Sequence, residues 1–470
     1  MGTSLKTKIP PLSDKTQFDV KLVDTSLLLE ELRRQYSVQR RYVEVDFRQL
    51  VSWLRIGDQL THQIHPYPAK LLPHIAHFFL RASSLHRGNQ IVLDPFCGSG
   101  TVALEASLAG FTPYVADANP LALLLTKVKT RPYDTSALRN TGGKILKKAS
   151  RFKTAPVISI VNEHLWYSPE HKRALEIILR ALNEVEDPEE LDFFKICFSA
   201  TARRLSLADP AISVPVRLRT KHGLSDTANE KVAARLQWIL DSVPLSEFAR
   251  IFEANIQRIE EANRAFQNRL QAIQVGVDAR QLTQPGDKTL PLHSNSIPLI
   301  VTSPPYGSAQ KYVRASSLAL NWLGMASPDQ LSALEQQSIG REHLRKNYES
   351  VEAEVQLPQR YARLIKKITE TNELRGRITQ RYLMEMGKVV EEISRITSFN
   401  GRAVFVIGNN QVCGETLRND EYLTHCFQKN GMELELGLID HIKSRGLMTK
   451  RNRTASIISR EMVLVFKKRV

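Results

Sequence analysis

The feature that most constrains this chain is an apolar run that stops at two consecutive prolines, in residues 299–307, which read LIVTSPPYG. The run predicts a strand that is buried on both faces of a sheet. Pro304 and Pro305 have no backbone N–H, so the hydrogen-bond ladder has to end there. Open α/β sheets bind ligands at the carboxyl ends of such strands. The hydroxyl of Ser303, the carbonyl groups of the turn and the ring of Tyr306 could hold a flat molecule that carries an amino group, although a plain loop after a buried strand is the alternative.

The composition favours a polyanionic partner. The 470 residues are enough for one large domain with insertions or for two to three domains. The formal net charge is +16 at pH 7, and such an excess favours nucleic acid first and a membrane surface second. No apolar run approaches the roughly 18 residues of a transmembrane helix, and the N-terminus lacks the apolar core of a signal peptide, so we expect a cytoplasmic protein without a membrane span. Four scattered cysteines fit neither a disulfide framework nor metal-ligand spacing, and no metal site is expected.

A second motif consists of a glycine-rich turn, residues 94–101, which reads DPFCGSGT. It follows a predicted strand, 90–93, and precedes a predicted helix, 102–109. The glycines allow a tight turn and close approach to a ligand, and the start of the helix offers free N–H groups. A further short strand, 114–116, ends in Asp117, which is placed to accept hydrogen bonds from ribose hydroxyls. The third glycine of the dinucleotide fingerprint and the Gly-Lys-Ser/Thr of a phosphate loop are both absent, so a cofactor with a ribose but no pyrophosphate fits better.

Periodicity and composition divide the rest of the chain. Four regions are predicted: an N-terminal extension, 1–60; a cofactor-binding half, 61–135; a mostly helical insertion, 136–280; and a catalytic half, 281–470, with a basic insertion at 308–381. Apolar periodicity predicts helices over 170–185, 247–273 and 382–397, a turn at Asn400 and Gly401, and strands over 402–407, 434–439 and 461–466. The helical insertion is a possible target-recognition region.

Basic clusters are the candidate nucleic-acid surfaces. Arg217 and Arg219 lie in a non-helical basic stretch, 203–222, that also carries Arg203 and Arg204. Arg341 lies in the basic insertion. A basic loop near the C-terminus carries Lys450, Arg451 and Arg453. Basic residues with interleaved aromatic residues suit contact with nucleic acid. Helical spacing in these clusters fits a plain solvated face equally well.

Taken together, these motifs resemble those of the DNA amino-methyltransferases that use S-adenosylmethionine. Residues 94–101 look like the cofactor motif of that family, and residues 302–306 look like its catalytic motif in the Ser-Pro-Pro-Tyr form associated with N4-cytosine enzymes. Residues 65–70, which read HPYPAK, look like the segment that covers the methionine end of the cofactor. Residues 117–120 and the pair at 286–287 also match in kind and place.

The resemblance implies an α/β fold of the Rossmann-like class I methyltransferase type. Its sheet would be seven-stranded and mostly parallel, with helices on both faces, helical insertions and an antiparallel last strand. The cofactor residues would be Lys70, Asp94, Phe96, Gly98, Gly100, Thr101, Asp117 and Asp287, and the catalytic residues would be Ser303, Pro304, Pro305 and Tyr306. In that arrangement Asp117 binds the ribose hydroxyls and Asp94 faces the methionine amino group. Tyr306 would stack on a base that has left the DNA helix, while Ser303 and the Pro304 carbonyl accept from its amine.

The activity implied by the resemblance is site-specific methylation of cytosine N4 in double-stranded DNA, with a separate cognate restriction endonuclease as a candidate partner. Methylation of adenine N6 is one alternative. Methylation of guanine N2 in RNA is another, although those enzymes usually carry Asp-Pro-Pro-Tyr. A non-catalytic DNA-binding specificity protein is the alternative from a different class. Methylation of a ring carbon needs a cysteine nucleophile, usually in a Pro-Cys pair, and this sequence has no such pair.

Overall fold

The strand that precedes the proline pair is the centre of the fold. A computed structural model describes residues 23–54, 59–68, 70–85, 90–307, 311–344, 357–442 and 458–469. Its strands are β1 (Val43–Val45), β2 (Ile91–Asp94), β3 (Thr112–Val115), β4 (Ile273–Gln274), β5 (Thr283–Gln284), β6 (Asp287–Pro291), β7 (Ile297–Thr302), β8 (Thr397–Ile407), β9 (Asn410–Val412), β10 (Glu415–Leu417), β11 (Met432–His441) and β12 (Arg460–Lys468). The central strand is β7, which pairs with β2 on one side and β8 on the other.

The helices cover both faces of the sheet and form most of the insertion. They are α1 (Ser26–Gln39), α2 (Phe47–Leu50), α3 (Pro73–Leu80), α4 (Thr101–Leu108), α5 (Pro120–Thr130), α6 (Thr135–Arg151), α7 (Glu163–Trp166), α8 (Pro169–Leu182), α9 (Pro188–Arg204), α10 (Asp226–Asp241), α11 (Pro244–Ala265), α12 (Tyr312–Trp322), α13 (Leu331–Gln337), α14 (Gln359–Thr371), α15 (Glu373–Ile396) and α16 (Asn419–Lys429). Two short 3-10 helices lie at Leu60–Gln63 and Ser83–Leu85.

The main sheet is mostly parallel, as predicted. Its strand order is β1-β11-β12-β8-β7-β2-β3-β4, and only β12 runs antiparallel to its neighbours. The chain extends the sheet from β2 through β3 to β4, and it starts the other half at β7. The strand order therefore reverses between β2 and β7, which is where open α/β sheets form a ligand crevice. The sheet has eight strands where seven were expected, because the short strand β1 of the N-terminal extension pairs with β11.

The apolar run of β7 is buried on both faces because each face has its own core. Leu299 and Val301 pack with residues of α1, α3 and α4, and they are fully buried. Ile297 and Ile300 point the other way and pack with residues of α15 and α16. Helices α6, α8, α9 and α11 enclose a third core, which is rich in phenylalanine and also includes residues of α5 and α12.

Three boundaries differ from the sequence-based predictions. Helix α11 ends at Ala265 instead of residue 273, because the backbone N–H of Ala272 bonds to Thr130 Oγ1 and the following residues pair with β3. Helix α15 begins at Glu373, nine residues earlier than expected, with the Asn372 side chain as its N-cap. The turn expected at residues 400–401 is a bulge inside β8, where Asn400 has a φ of 61°.

The ranges described above contain neither a membrane-spanning helix nor a cluster of metal-ligating side chains. No helix in those ranges is both long and apolar enough to cross a membrane. Nor do three or more His, Cys, Asp or Glu side chains cluster there in a way that could hold a metal ion.

Candidate functional site

The separate sequence motifs meet in one cavity at the carboxyl edge of the sheet. The cavity has a volume of about 1260 Å³. Its walls include the turns that follow β2, β3 and β7, together with residues 63–68 and 70–73. The predicted site residues that line it are Lys70, Phe96, Gly98, Asp117, Ser303, Pro304, Pro305 and Tyr306. Motifs more than 200 residues apart in the chain thus form one site because the parallel strands that carry them end at the same edge.

The glycine turn is shaped by two backbone positions. Gly98 and Gly100 have φ values of 48° and 74°, in the region that disfavours residues with a side chain. A Cβ atom on Gly100 would lie 2.7 Å from Thr126 Oγ1, so helix α5 approaches too closely for any side chain there. Gly100 and Thr101 do not line the cavity, and the Thr101 side chain is buried against Ser99. They shape the turn from behind, whereas Gly98 and Phe96 face the cavity.

Asp94 joins the glycine turn to the proline turn. Its Oδ1 accepts a hydrogen bond from Thr302 Oγ1 at 2.6 Å and another from the backbone N–H of Phe96 at 3.1 Å. Burial raises the pKa of Asp94 to about 7, against these hydrogen bonds. Asp94 does not line the cavity. The structure therefore gives it a role in holding two strand ends together, and its contact with a methionine amino group stays a prediction.

Asp117 presents a carboxylate to the cavity from the end of β3. Its two oxygens accept from the backbone N–H groups of Gly98 and Asn119, each at 2.8 Å. Burial raises the pKa of Asp117 to about 6. Asn119 continues the network, because its amide donates to Tyr67 Oη at 3.1 Å and to Ser316 Oγ at 3.0 Å.

The ring of Tyr306 is held from two sides. Its hydroxyl donates to Glu461 Oε1 on β12 at 2.7 Å. Burial raises the pKa of both the Tyr306 hydroxyl and the Glu461 carboxyl. A Cβ atom on Gly408 would lie 2.9 Å from Tyr306 Cε2, so the backbone after β8 lies directly against the ring. Glu461 and Gly408 were not found by sequence reasoning, because only strand pairing brings them to the turn.

The carbonyl groups of the proline turn are also anchored. Tyr382 Oη donates to the Pro305 carbonyl at 3.1 Å, and Asn410 Nδ2 donates to the Gly307 carbonyl at 2.7 Å. A Cβ atom on Gly307 would lie 2.8 Å from the Tyr382 ring. The turn is therefore a fixed surface between α15 and β9.

One predicted cofactor residue lies elsewhere. Asp287 begins the exposed strand β6 of a hairpin, accepts from Thr289 and does not line the cavity. Since Asp287 does not line the cavity, its contact with the cofactor stays a prediction. Asp278 and Ala279, after β4, line the cavity instead. The signal that could have found them is Gly276 two residues before Asp278, but the two-residue strand β4 is too short for periodicity to detect.

The predicted DNA-binding residues have different positions. Arg217 and Arg219 are exposed and lie outside the cavity wall, and Arg217 donates to the Leu165 carbonyl. Arg341 is only 5% exposed, and its Nη2 donates to Glu385 Oε1 at 2.5 Å. The burial of Arg341 and its pair with Glu385 argue against a phosphate contact, and its role in DNA binding stays a prediction. Lys450, Arg451 and Arg453 lie outside the described residues.

The comparisons with known proteins connect the chain to methyltransferases. Residues 63–145 match the family model described as UPF0020, RMKL-like, methyltransferase domain. The chain is similar to the Type II methyltransferase M.MvaI of Kocuria varians, with 22% identity over 432 residues, which are 87% of this chain and 91% of that protein. It is also similar to the Type II methyltransferase M.MjaII of Methanocaldococcus jannaschii, with 32% identity over 92 residues, or 20% of this chain and 17% of that protein.

A solved structure was matched over a smaller part of the chain. It is that of a proposed DNA modification methylase from Thermus thermophilus, with 22% identity and a TM-score of 0.15. The match covers 19% of this chain and 38% of the other. The matched family domain spans β2, β3 and the glycine turn, so it includes the cofactor half of the cavity.

Proposed function

We propose that this protein is a site-specific DNA methyltransferase that transfers the methyl group of S-adenosylmethionine to N4 of cytosine in double-stranded DNA. The observation that carries the proposal is the meeting of the glycine turn, Asp117 and the Ser-Pro-Pro-Tyr turn in one cavity. The similarity to M.MvaI supports it, because that similarity extends over both halves of the site and that protein is named as a Type II methyltransferase.

The cavity fits the cofactor. Pockets for one small ligand have volumes of about 300–1,000 Å³, so this cavity has room for the cofactor and for an extruded base. Gly98 leaves space beside the Tyr67 ring, and Asp117 lines the cavity, where its carboxylate would accept from the ribose hydroxyls. S-adenosylmethionine, when bound, supplies a methyl group activated by its sulfonium. Phe96, Gly98, Asp117 and Lys70 would hold it.

The proline turn orients the target amine. Tyr306 stacks on the extruded base, and Ser303 Oγ with the Pro304 carbonyl accepts from the exocyclic N–H groups. These hydrogen bonds draw the nitrogen lone pair out of conjugation and direct it toward the methyl group. The turn contributes through positioning and electrostatics, because its anchors hold it in place before the base arrives.

A covalent route through cysteine does not fit this site. The Cys97 thiol is 4% exposed, and burial raises its pKa well above the ordinary value, so the thiol stays protonated. Its sulfur accepts a hydrogen bond from Thr126 Oγ1 at 3.5 Å. Methylation of an exocyclic amine requires no enzyme nucleophile. The same turn also suits adenine N6, but the resemblance to enzymes with the Ser-Pro-Pro-Tyr form, which is associated with N4-cytosine, favours cytosine.

The test is mass spectrometry of nucleosides from DNA and, in a parallel reaction, from RNA, each incubated with the protein and labelled cofactor. We expect label in N4-methylcytosine. Label only in N6-methyladenine would replace cytosine by adenine as the target, and label only in RNA guanine would reject the proposal.

Variants of the proline turn test the site itself. Stacking of a base on an aromatic ring is worth about 1–3 kcal/mol, so we expect Tyr306→Ala to lower turnover by about 10- to 100-fold. Tyr306→Phe is the matched control, because it keeps the ring but loses the bond to Glu461. Its turnover should fall much less. Ser303→Ala should also lower turnover while cofactor affinity, measured by calorimetry, stays close to that of the wild type. Full turnover in both alanine variants would show that the active site lies elsewhere.

A further inference from the structure

The cavity has a basic side that the proposed chemistry does not use. Arg203 and Arg204 at the end of α9, Arg235 on α10 and Arg250 on α11 all line it. These four residues, which we call the arginine wall, belong to the helical insertion, in which α9 packs against α11 and Arg235 of α10 bonds to the Arg204 carbonyl. Helical periodicity in the sequence does not show that these positions share a wall.

The arginine wall has an excess of positive charge. Glu247 is the carboxylate that pairs with it: its Oε2 accepts from Arg204 Nε at 2.9 Å and from Arg250 Nη2 at 3.0 Å. Within the described part of the chain, no ion pair involves Arg203 or Arg235. Glu247 pairs with only two of the four guanidinium groups of the wall, and a surplus of cations of this kind favours an anion.

The wall is also held in a defined geometry. The guanidinium groups of Arg204 and Arg235 lie over the ring of Trp238, at 4.7 Å and 4.2 Å from its centroid. Arg235 Nη2 donates to the Arg204 carbonyl at 2.6 Å. Burial lowers the pKa of Arg203, and burial together with the neighbouring charge of Arg204 lowers the pKa of Arg235, so both cations carry an electrostatic cost in the wall. An incoming anion would relieve that cost.

The opposite side of the cavity carries acidic groups. Asp117, Asp278, Asp440 and Glu461 line it from the ends of the strands. Asp209 of the insertion and the cations Arg48 and Lys70 also line the cavity, so neither part has a single sign, but four carboxyl groups stand at the strand ends and four guanidinium groups form the arginine wall. A nucleotide has the matching asymmetry, since its base can enter toward the sheet while its phosphates stay at the arginine wall.

We propose that the arginine wall binds the backbone phosphates of the DNA strand whose base enters the cavity. The inference rests on the proposed function and makes it more specific, because it assigns the phosphate contacts to α9, α10 and α11 of the helical insertion. Phosphate contacts of this kind hold the strand in register without reading its sequence. They also make affinity depend on salt, through the release of counterions.

The test measures binding of a fluorescent DNA duplex by anisotropy over a range of salt concentrations. Arg250→Gln removes one cation from the wall and should lower the slope of log affinity against log salt by about 0.9. Glu247→Gln removes the carboxylate of the wall and should have the opposite effect, with tighter binding. Arg203→Gln also removes one cation from the wall and should lower the slope in the same way. Thermal unfolding verifies that each protein is folded.

Matched controls come from an ion pair on the same insertion. Arg139 on α6 pairs with Glu260 on α11, and neither residue lines the cavity. Arg139→Gln and Glu260→Gln repeat the same changes of net charge away from the wall, so they should alter binding much less. If Arg250→Gln and Arg203→Gln behave like Arg139→Gln, or if Glu247→Gln weakens binding, the proposal is wrong.

The outcomes separate this inference from the proposed function. Methyl transfer by the wild-type protein is measured on the same duplex. If the wild type transfers no methyl group but the wall variants change the salt slope as expected, the phosphate site stands and the proposed activity fails. If methyl transfer occurs and the salt slopes of the wall variants do not change, the proposed activity stands and the phosphate site fails. Displacement of DNA by an RNA duplex at lower concentration than by a DNA duplex would identify RNA as the partner and would also reject the inference.

Discussion

At the scale of single residues, Asp94 shows how a buried carboxyl connects two distant motifs. It terminates β2, and its side chain bonds to Thr302 at the end of β7. An ionised carboxylate in this position loses the solvation it has in water, and that loss raises its pKa to about 7. The group therefore stabilises the fold mainly as the neutral acid.

The first prediction concerns Asp94→Asn and pH. The pKa of Asp94 rises from 3.8 to about 7 in the folded protein, so between those values the folded state holds a proton that the unfolded state releases. Stability from this group is accordingly present at low pH and is lost as pH rises toward 7. Asparagine keeps an acceptor for Thr302 without the charge. The free energy of unfolding of the variant, relative to that of the wild type, should therefore be higher at pH 8 than at pH 5.

Urea unfolding at both pH values measures this difference. Asp226→Asn, at an exposed position at the start of α10, is the control and should show no such gain. A difference between Asp94→Asn and the wild type that is the same at pH 5 and pH 8 would contradict the prediction.

At the scale of elements, helix α6 shows how tightly the helical insertion is packed. Two consecutive glycines in the middle of this helix face opposite environments. A Cβ atom on Gly142 would lie 2.8 Å from Phe252 Cε2 on α11, whereas a Cβ atom on Gly143 would meet nothing within 4 Å. The close approach of α6 to α11 therefore depends on one of the two glycines.

The second prediction is that alanine at these two positions has opposite effects on stability. Gly142→Ala adds a methyl group to a filled core and should lower the free energy of unfolding by about 1–3 kcal/mol. Gly143→Ala improves helix propensity without a clash and should raise it by about 0.5–1 kcal/mol. Urea denaturation of the two variants provides the measurement, and each serves as the control for the other. Equal effects of the same sign would show that α6 and α11 do not approach as closely as described.

At the scale of the whole molecule, the cavity lies where the helical insertion meets the sheet. Residues of α9 and α11 form one wall, and the turns after β2, β3 and β7 form the other. A ligand that contacts both walls adds a link between the helical core and the sheet. Since such a ligand binds only the folded protein, it raises the free energy of unfolding.

The third prediction is that S-adenosylmethionine stabilises the whole chain. At a concentration of 100 times its dissociation constant it should add about 2.7 kcal/mol to the free energy of unfolding and raise the melting temperature. Asp117→Asn cannot accept from both Gly98 and Asn119, so it should disturb the turn and largely remove the effect. Differential scanning fluorimetry with and without the cofactor measures both shifts. An equal shift in the variant would exclude Asp117 from the cofactor site.

Local sequence information was enough for the central parts of the fold. The apolar run before Pro304 could only be a strand that ends there, and the glycine turn at 94–101 could only join a strand to a helix. The final strand pair, β11 and β12, was also predicted from its apolar runs. These features depend on the conformational limits of proline and glycine and on burial, which act within a few residues.

Other parts depended on contacts between distant segments. Asp278, which lines the cavity, was not predicted, because strand β4 before it is formed by pairing with β3 and its two residues carry no pattern of their own. Arg341 looked like a surface cation, but tertiary packing placed it against Glu385.

The sequence by itself determined where the strands stop and which chemical groups stand at their ends. Only the tertiary structure decided which of those ends share a cavity, that Glu461 holds Tyr306, and that the arginines of α9, α10 and α11 face the same space. The physical reason is that a turn is specified by the torsional preferences of neighbouring residues. A wall is specified by the packing of helices whose contacting residues are many positions apart in the chain.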